Sequence, residues 1–267
     1  MKAAAGLRLF LAGLLVAAWS VMCGIGGGLF AVPILHYLHR LPMRESVATA
    51  LGLVAVSTVA ATVSEALHDE SALHWGVVGA LAAGSLIGAQ LGFRVARRLD
   101  ARKLKMIFAL LVLFVGLRLL LVSGAERAAD AAGGGLGAAH YCLAALIGFG
   151  AGFVSPILGI GGGLVAVPAL FFGLPSLGYL GARACSLAMA VVNSTRSLAL
   201  YLAAREVDLA RAAWLGLGAG LGAVLGVELV HLPGLETGSR VMMGVTLLFL
   251  SGRFAWDAWG PRARVTS

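Results

Sequence analysis

Charge is what this chain has least of: only 12% of its 267 residues are Asp, Glu, Lys or Arg. A soluble domain runs near a quarter charged, so these charges are too few to cover a soluble surface of this size. Cysteine is scarce too. Cys23, Cys142 and Cys185 are three in number, with no C-x-x-C among them, which excludes a disulfide framework and a cysteine zinc site. His36 and His39 lie one turn apart, but two histidines alone do not make a metal centre. No G-x-x-x-x-G-K-[ST] run exists to cradle a nucleotide. The sequence therefore calls for no metal and no cofactor, and no paired nucleophile and base mark it as an enzyme.

What is present in quantity is apolar. Hydrophobic residues make up 60% of the chain, with a mean hydropathy of +0.96. The runs repeatedly reach the roughly 20 residues that cross a bilayer core of about 30 Å. A net charge of +8 would suit nucleic acid in a soluble protein. Here the basic residues crowd at the borders of apolar runs, as on the cytoplasmic side of membrane proteins, so no nucleic-acid partner is expected. The start of the chain, with Lys2 and Arg8 before an apolar run, resembles a signal peptide. Cleavage there would break an internal repeat, so the segment is read as part of the mature fold.

That repeat sets the architecture. Residues 24–35 read GIGGGLFAVPIL and residues 159–170 read GIGGGLVAVPAL, identical at ten of twelve positions. Ser20 pairs with Ser155, and Ala48-Thr49-Ala50-Leu51 with Ala184-Cys185-Ser186-Leu187. Gly84, Gly88 and Gly92 pair with Gly218, Gly222 and Gly226, two small-residue faces suited to close helix approach in lipid. The expected fold is an all-α polytopic membrane protein of two homologous repeats. Each has a Gly-broken first element, about 5–38 and 139–173. Three helices follow in each, at about 46–66, 74–95 and 103–122, then 182–203, 209–230 and 238–256. The expected organisation is a first repeat over 1–122, a linker over 123–138, a second repeat over 139–260 and a tail over 261–267.

Gly24–Gly28 holds four glycines in five residues, each costing about 1 kcal/mol in a helix interior. Pro33 and Pro168 follow, and proline suits a first helical turn. The expectation is an unwound stretch and then a half-helix at about 30–38, roughly 15 Å long. Unwound backbone at that depth needs protein or a watery cavity around it. If the broken element crosses the membrane, the repeats are parallel; if it re-enters, they are inverted. The segment 94–105, with Arg94, Arg97, Arg98, Arg102, Lys103 and Lys105, belongs in the cytoplasm. The re-entrant layout then keeps Lys2, Arg8, Arg40, Arg44 and the Arg253–Arg264 tail inside as well, and is favoured.

Two copies of GxGGG-x(4)-P, each followed by a helix opening A-[TC]-[AS]-L, resemble the TauE/SafE-type sulfite exporter family over nearly the whole chain. The resemblance implies a multi-pass permease of the inner membrane for small sulfur-containing anions such as sulfite or organosulfonates. Cys185 and the polar run Asn193-Ser194-Thr195-Arg196 depart from the family pattern.

Helix N-termini carry partial positive charge and free N–H groups, and broken helices in transporters aim them at anions near the midplane. The expected substrate contacts are Gly24, Gly26, Gly27 and Gly28, with Gly159, Gly161, Gly162 and Gly163, and beside them Thr49, Ser186, Asn193 and Arg196. Pro33 and Pro168 are expected to be structural. Arg196 is the charge expected deepest in a span, with an ion pair to a carboxylate such as Glu65 as its other reading. Close helix packing is the other reading of the glycines. The function expected is secondary transport by alternating access; the alternative is a membrane sensor or assembly subunit that moves nothing. Its partners are the lipid bilayer and a small anion, with homo-oligomerisation left open.

Overall fold

A computed structural model describes residues 3–96, 113, 117, 137–232, 238, 241–246, 248–249 and 251–252. Most of the expected helix at 103–122, part of that at 238–256, most of the linker, the tail and the basic cluster beyond Arg94 lie outside the described residues. The elements are α1 (Ala3–Met22), α2 (Gly28–Pro33), α3 (Met43–Leu67), α4 (Trp75–Ala96), α5 (Ala138–Leu158), α6 (Gly163–Gly173), α7 (Gly178–Ala203) and α8 (Leu209–Val230). A π-helical turn, Ile34–Leu38, follows α2, and a 3₁₀ turn, Pro175–Leu177, precedes α7. Five of these helical segments, those containing α3, α4, α5, α7 and α8, are long and apolar enough to cross a membrane.

Glycine faces weld helices in two matching pairs. A Cβ on Gly84, Gly88 or Gly92 would stand 1.9, 2.1 and 2.1 Å from the carbonyl oxygens of Ala145, Phe149 and Phe153. Thus α4 and α5 touch backbone to backbone and run in the same direction. Gly218, Gly222 and Gly226 meet the carbonyls of Phe10, Leu14 and Ala18 at 1.9, 2.1 and 2.6 Å in the same way, so α8 and α1 are also parallel neighbours. Packing of this closeness replaces the hydrophobic drive that lipid cannot supply. Between the pairs, α3 and α7 pack on each other. They run in opposite directions: Arg183 near the start of α7 reaches Glu65 near the end of α3.

Three boundaries differ from the sequence reading. The half-helices start at the last glycine of each motif, because Gly27 (φ 99°) and Gly162 (φ 91°) are left-handed N-caps. Only glycine adopts that conformation without strain. Pro33 and Pro168 are accordingly the sixth residues of α2 and α6, not first-turn residues. Lacking N–H, Pro33 cannot bond the carbonyl of Leu29, and the chain widens there into the π turn. Finally, α7 begins at Gly178 rather than 182, which moves Arg183 from the helix's second residue to its second turn.

At the ends of the bundle, Arg44 pairs with Glu206 at 3.4 Å, and Asp208 caps α8 by accepting from the N–H of Arg211 at 2.9 Å. A ring nitrogen of His36 bonds the Leu41 carbonyl at 2.8 Å. Burial, and then the charge of Arg211, hold His39 below the usual imidazole pKa.

Candidate functional site

The two GIGGG segments form one buried centre. Residues 23–29 and 158–164 are all buried. Their positive φ angles match position by position: 74°, 80° and 99° at Gly24, Gly26 and Gly27, against 72°, 79° and 91° at Gly159, Gly161 and Gly162. The two segments also face each other. A Cβ on Gly28 would stand 1.9 Å from the Gly159 carbonyl oxygen, and one on Gly163 would stand 2.2 Å from that of Gly24. The first residue of each half-helix therefore rests on the first glycine of the other motif. The structure brings together all eight glycines named from the sequence.

Helices α3 and α7 hold this centre through residues at corresponding places. Ser57 donates to the Gly26 carbonyl at 2.6 Å, and Asn193 donates to the Gly161 carbonyl at 3.1 Å. Ser186 donates to the Gly24 carbonyl at 3.3 Å. At the helix starts, the Thr49 hydroxyl accepts from the N–H of Asp208 at 3.1 Å, and Cys185 Sγ lies 3.9 Å from the His74 carbonyl. Thr49 and Cys185 thus tie each helix to the segment that opens α8 or α4. Around the second motif, Ser155 Oγ, Asn193 Oδ1 and Ser197 Oγ are buried without a hydrogen-bond partner among the described residues.

A charged cluster abuts the first motif. The Arg183 stem crosses Gly24, with its Cγ 3.1 Å from where a Cβ there would stand. Its guanidinium forms a fully buried ion pair with Glu65 and donates to the Val21 carbonyl at 3.4 Å. Arg183 Nε is buried without a partner among the described residues. Both Glu65 oxygens lie 3.2 Å from His231 Nε2. The His231 ring stacks on His68, with centroids 4.0 Å apart and planes at 18°.

Arg196, the charge expected deepest, is exposed on the surface of α7 and donates to Gln90 at 2.7 Å. The carboxylate proposed as its partner, Glu65, is taken by Arg183. Sequence reading passed over Arg183 because it placed the helix start one residue before it. The signal available was a lone arginine in the small-residue run Gly181-Ala182-Arg183-Ala184-Cys185, in the first turns of the helix that follows the half-helix. Cys23 and Cys185 are free and buried, and Cys142 is free and exposed.

Known proteins of similar sequence are named as membrane transporters. The chain is 32% identical over 114 residues to "Probable membrane transporter protein MamO" of Paramagnetospirillum magneticum, covering 40% of this chain and 18% of that protein. It is 28% identical over 97 residues to "Probable membrane transporter protein YunE" of Bacillus subtilis, 36% of this chain and 35% of that one. It is 31% identical over 118 residues to a "Probable membrane transporter protein" of Xylella fastidiosa, 43% of this chain and 44% of that one. The matches thus span less than half the length of each relative. No solved structure gives a significant match. The family model described as "Sulfite exporter TauE/SafE" matches residues 1–119 and 144–266. With nearly its whole length matched, the chain belongs to the TauE/SafE sulfite exporter family, a family of membrane transporters.

Proposed function

We propose that this chain is a secondary transporter of small sulfur-containing anions, sulfite or organosulfonates, that holds its substrate where the two GIGGG motifs meet. The observation that carries this reading is the reciprocal contact of Gly28 with Gly159 and of Gly163 with Gly24. Two helix N-termini are thereby brought to one buried place. First-turn N–H groups have no acceptor within their own helix, and the end of the helix dipole favours an anion. The unpartnered Ser155, Asn193 and Ser197 oxygens beside the second motif add polar groups of the kind that a bound ligand or water would satisfy.

In this reading each first element enters the membrane and returns, and residues 1–122 and 139–260 are inverted repeats. The parallel course of α1 with α8 supports it, as does the opposed course of α3 and α7. Alternating access then consists of parting the two motifs toward one face and then the other. The closed contact of the motifs suits an occluded conformation.

The test is uptake of labelled sulfite, sulfoacetate and thiosulfate into proteoliposomes. Saturable uptake of at least one is expected, together with its loss in Gly26→Val and Gly161→Val chains that still insert into the membrane. Binding without flux for every anion would make the protein a sensor. Normal flux in both variants would sink the site.

A further inference from the structure

The Glu65–Arg183–His231–His68 cluster lies outside the glycine centre but touches it. Burying two charges costs several kcal/mol per ion, repaid only by close pairing. Four apolar residues at these places would join α3, α7 and α8 without that cost. Ion pairing accounts for Glu65 and Arg183 but not for the imidazole set against both carboxylate oxygens, nor for the second imidazole stacked on it. Histidine is the side chain that exchanges protons near neutral pH. Its proximity to a carboxylate that already neutralises an arginine makes a place where a proton and a guanidinium compete for the same oxygens.

The surroundings supply a route for that proton. A cleft of about 560 Å³ between α3 and α8 is lined by His68, Asp69 and Glu228 at its polar end, with Val63, Leu67 and Val224 along its wall. His231 is 4% exposed and Glu65 1%, so His68 is the member of the chain at the water side. The other titratable groups around Glu65 are Cys185 of α7, which is in electrostatic range of Glu65, and Glu70 and His74 in the loop from α3 to α4. Cys23, at the end of α1, senses Arg183. The Glu70 N–H donates to His68 at 3.3 Å, and the His74 carbonyl faces Cys185. Arg183 is the cation paired with Glu65.

We infer that Glu65, Arg183 and His231 form a proton-binding site that couples anion movement to a proton, an inference that rests on the transporter reading above. A proton from water reaches the His68–His231 pair. The N–H bond at His231 Nε2 breaks, and an O–H bond forms on Glu65. Glu65 becomes a neutral carboxylic acid and His231 a neutral imidazole. Arg183 keeps its own proton and loses its counter-charge. Its stem already lies over Gly24, so the freed guanidinium serves the oxyanion at the glycine centre. When the anion leaves, Glu65 gives up the proton and recaptures Arg183. One proton thus accompanies each negative charge taken by Arg183.

The experiment uses the full chain in proteoliposomes with labelled thiosulfate and sulfoacetate. Neither changes charge between pH ~6 and ~8, so pH dependence belongs to the protein. Wild-type uptake is expected to be about fivefold or more faster at the lower pH, the low end of coupling between sites. Glu65→Gln should lose that dependence. His231→Gln, which leaves the ion pair intact, should shrink or displace it. Infrared difference spectra between the two pH values supply a readout independent of flux: a protonated-carboxyl band in the wild type, absent from Glu65→Gln. Glu65→Asp should restore both band and pH profile in part. A pH profile unchanged in Glu65→Gln and His231→Gln overturns the site, as does a wild-type spectrum without the band. If neither anion moves in the wild type but the band is present, the proton site stands and the choice of cargo fails.

Discussion

The Ser57 hydroxyl donates to the Gly26 carbonyl at 2.6 Å. A counterpart bond joins Asn193 to the Gly161 carbonyl at 3.1 Å. Each left-handed glycine turn is thus pinned to a full-length helix through its central carbonyl. Removing either donor strands a buried carbonyl, at about 1–3 kcal/mol. Ser57→Ala and Asn193→Ala should both insert, melt lower in detergent and slow anion uptake. Thermal scans and proteoliposome flux on the same preparations check this; unaltered melting in both variants would contradict it.

Glycines of this chain divide into those that carry a contact and those that do not. Gly28 and Gly163 meet backbone across the centre, whereas Gly79 and Gly150 have nothing within 4 Å of a Cβ. Gly28→Ala and Gly163→Ala should destabilise by about 1–3 kcal/mol through overpacking. Gly79→Ala and Gly150→Ala should be neutral or stabilise by up to ~1 kcal/mol, since alanine is the better helix former. Melting temperatures of the four purified variants decide it.

The welded pairs give a further expectation. Gly88→Val and Gly222→Val place side chains into the Phe149 and Leu14 carbonyls, and should part α4 from α5 and α1 from α8. Gly220 lies on the same helix as Gly222 but meets only a Val56 methyl at 3.5 Å. Gly220→Ala is expected to express at wild-type level, while the two valine variants aggregate on size exclusion.

Arg183 and Arg196 should behave differently. Removing one partner of a buried ion pair costs about 3–5 kcal/mol, and Arg183→Gln should lose stability and anion uptake together. Arg196 is exposed beside Gln90, and Arg196→Gln should keep near wild-type uptake. Uptake lost in Arg196→Gln but retained in Arg183→Gln would reverse the assignment.

Membrane sidedness is open to labelling. In a Cys142→Ser background, Ser71→Cys should react with an impermeant maleimide from outside the cell. Arg205→Cys should react only after the membrane is opened. Labelling of both positions from the same side would contradict the re-entrant layout.

The sequence made the spans legible because length and hydropathy alone decide them: α4 and α8 fall within a residue of where the apolar runs place them. The close approach of Gly84, Gly88 and Gly92 was legible for a similar reason, since their four-residue spacing fixes one helix face. Helix starts were harder. A left-handed glycine is a better N-cap than composition suggests, so α2 and α6 begin earlier than their prolines imply. Partners distant in sequence were not legible at all. Thr49 with Asp208, and Glu65 with Arg183, depend on which helices become neighbours, and no local pattern carries that information. The expectation for Arg196 rested on depth within a helix, which says nothing about the side of the helix it faces.

The contact between the motifs also bears on how this chain could be taken apart. Each glycine turn is walled by the main chain of the other, so neither half owns a finished surface. A first half made alone would leave the Gly24 carbonyl and the first turn of α2 without the backbone that covers them. Two separately expressed halves should therefore be unstable singly and recover only as a pair. That pairing would have to re-form at the middle of the bilayer before either half had anything to do.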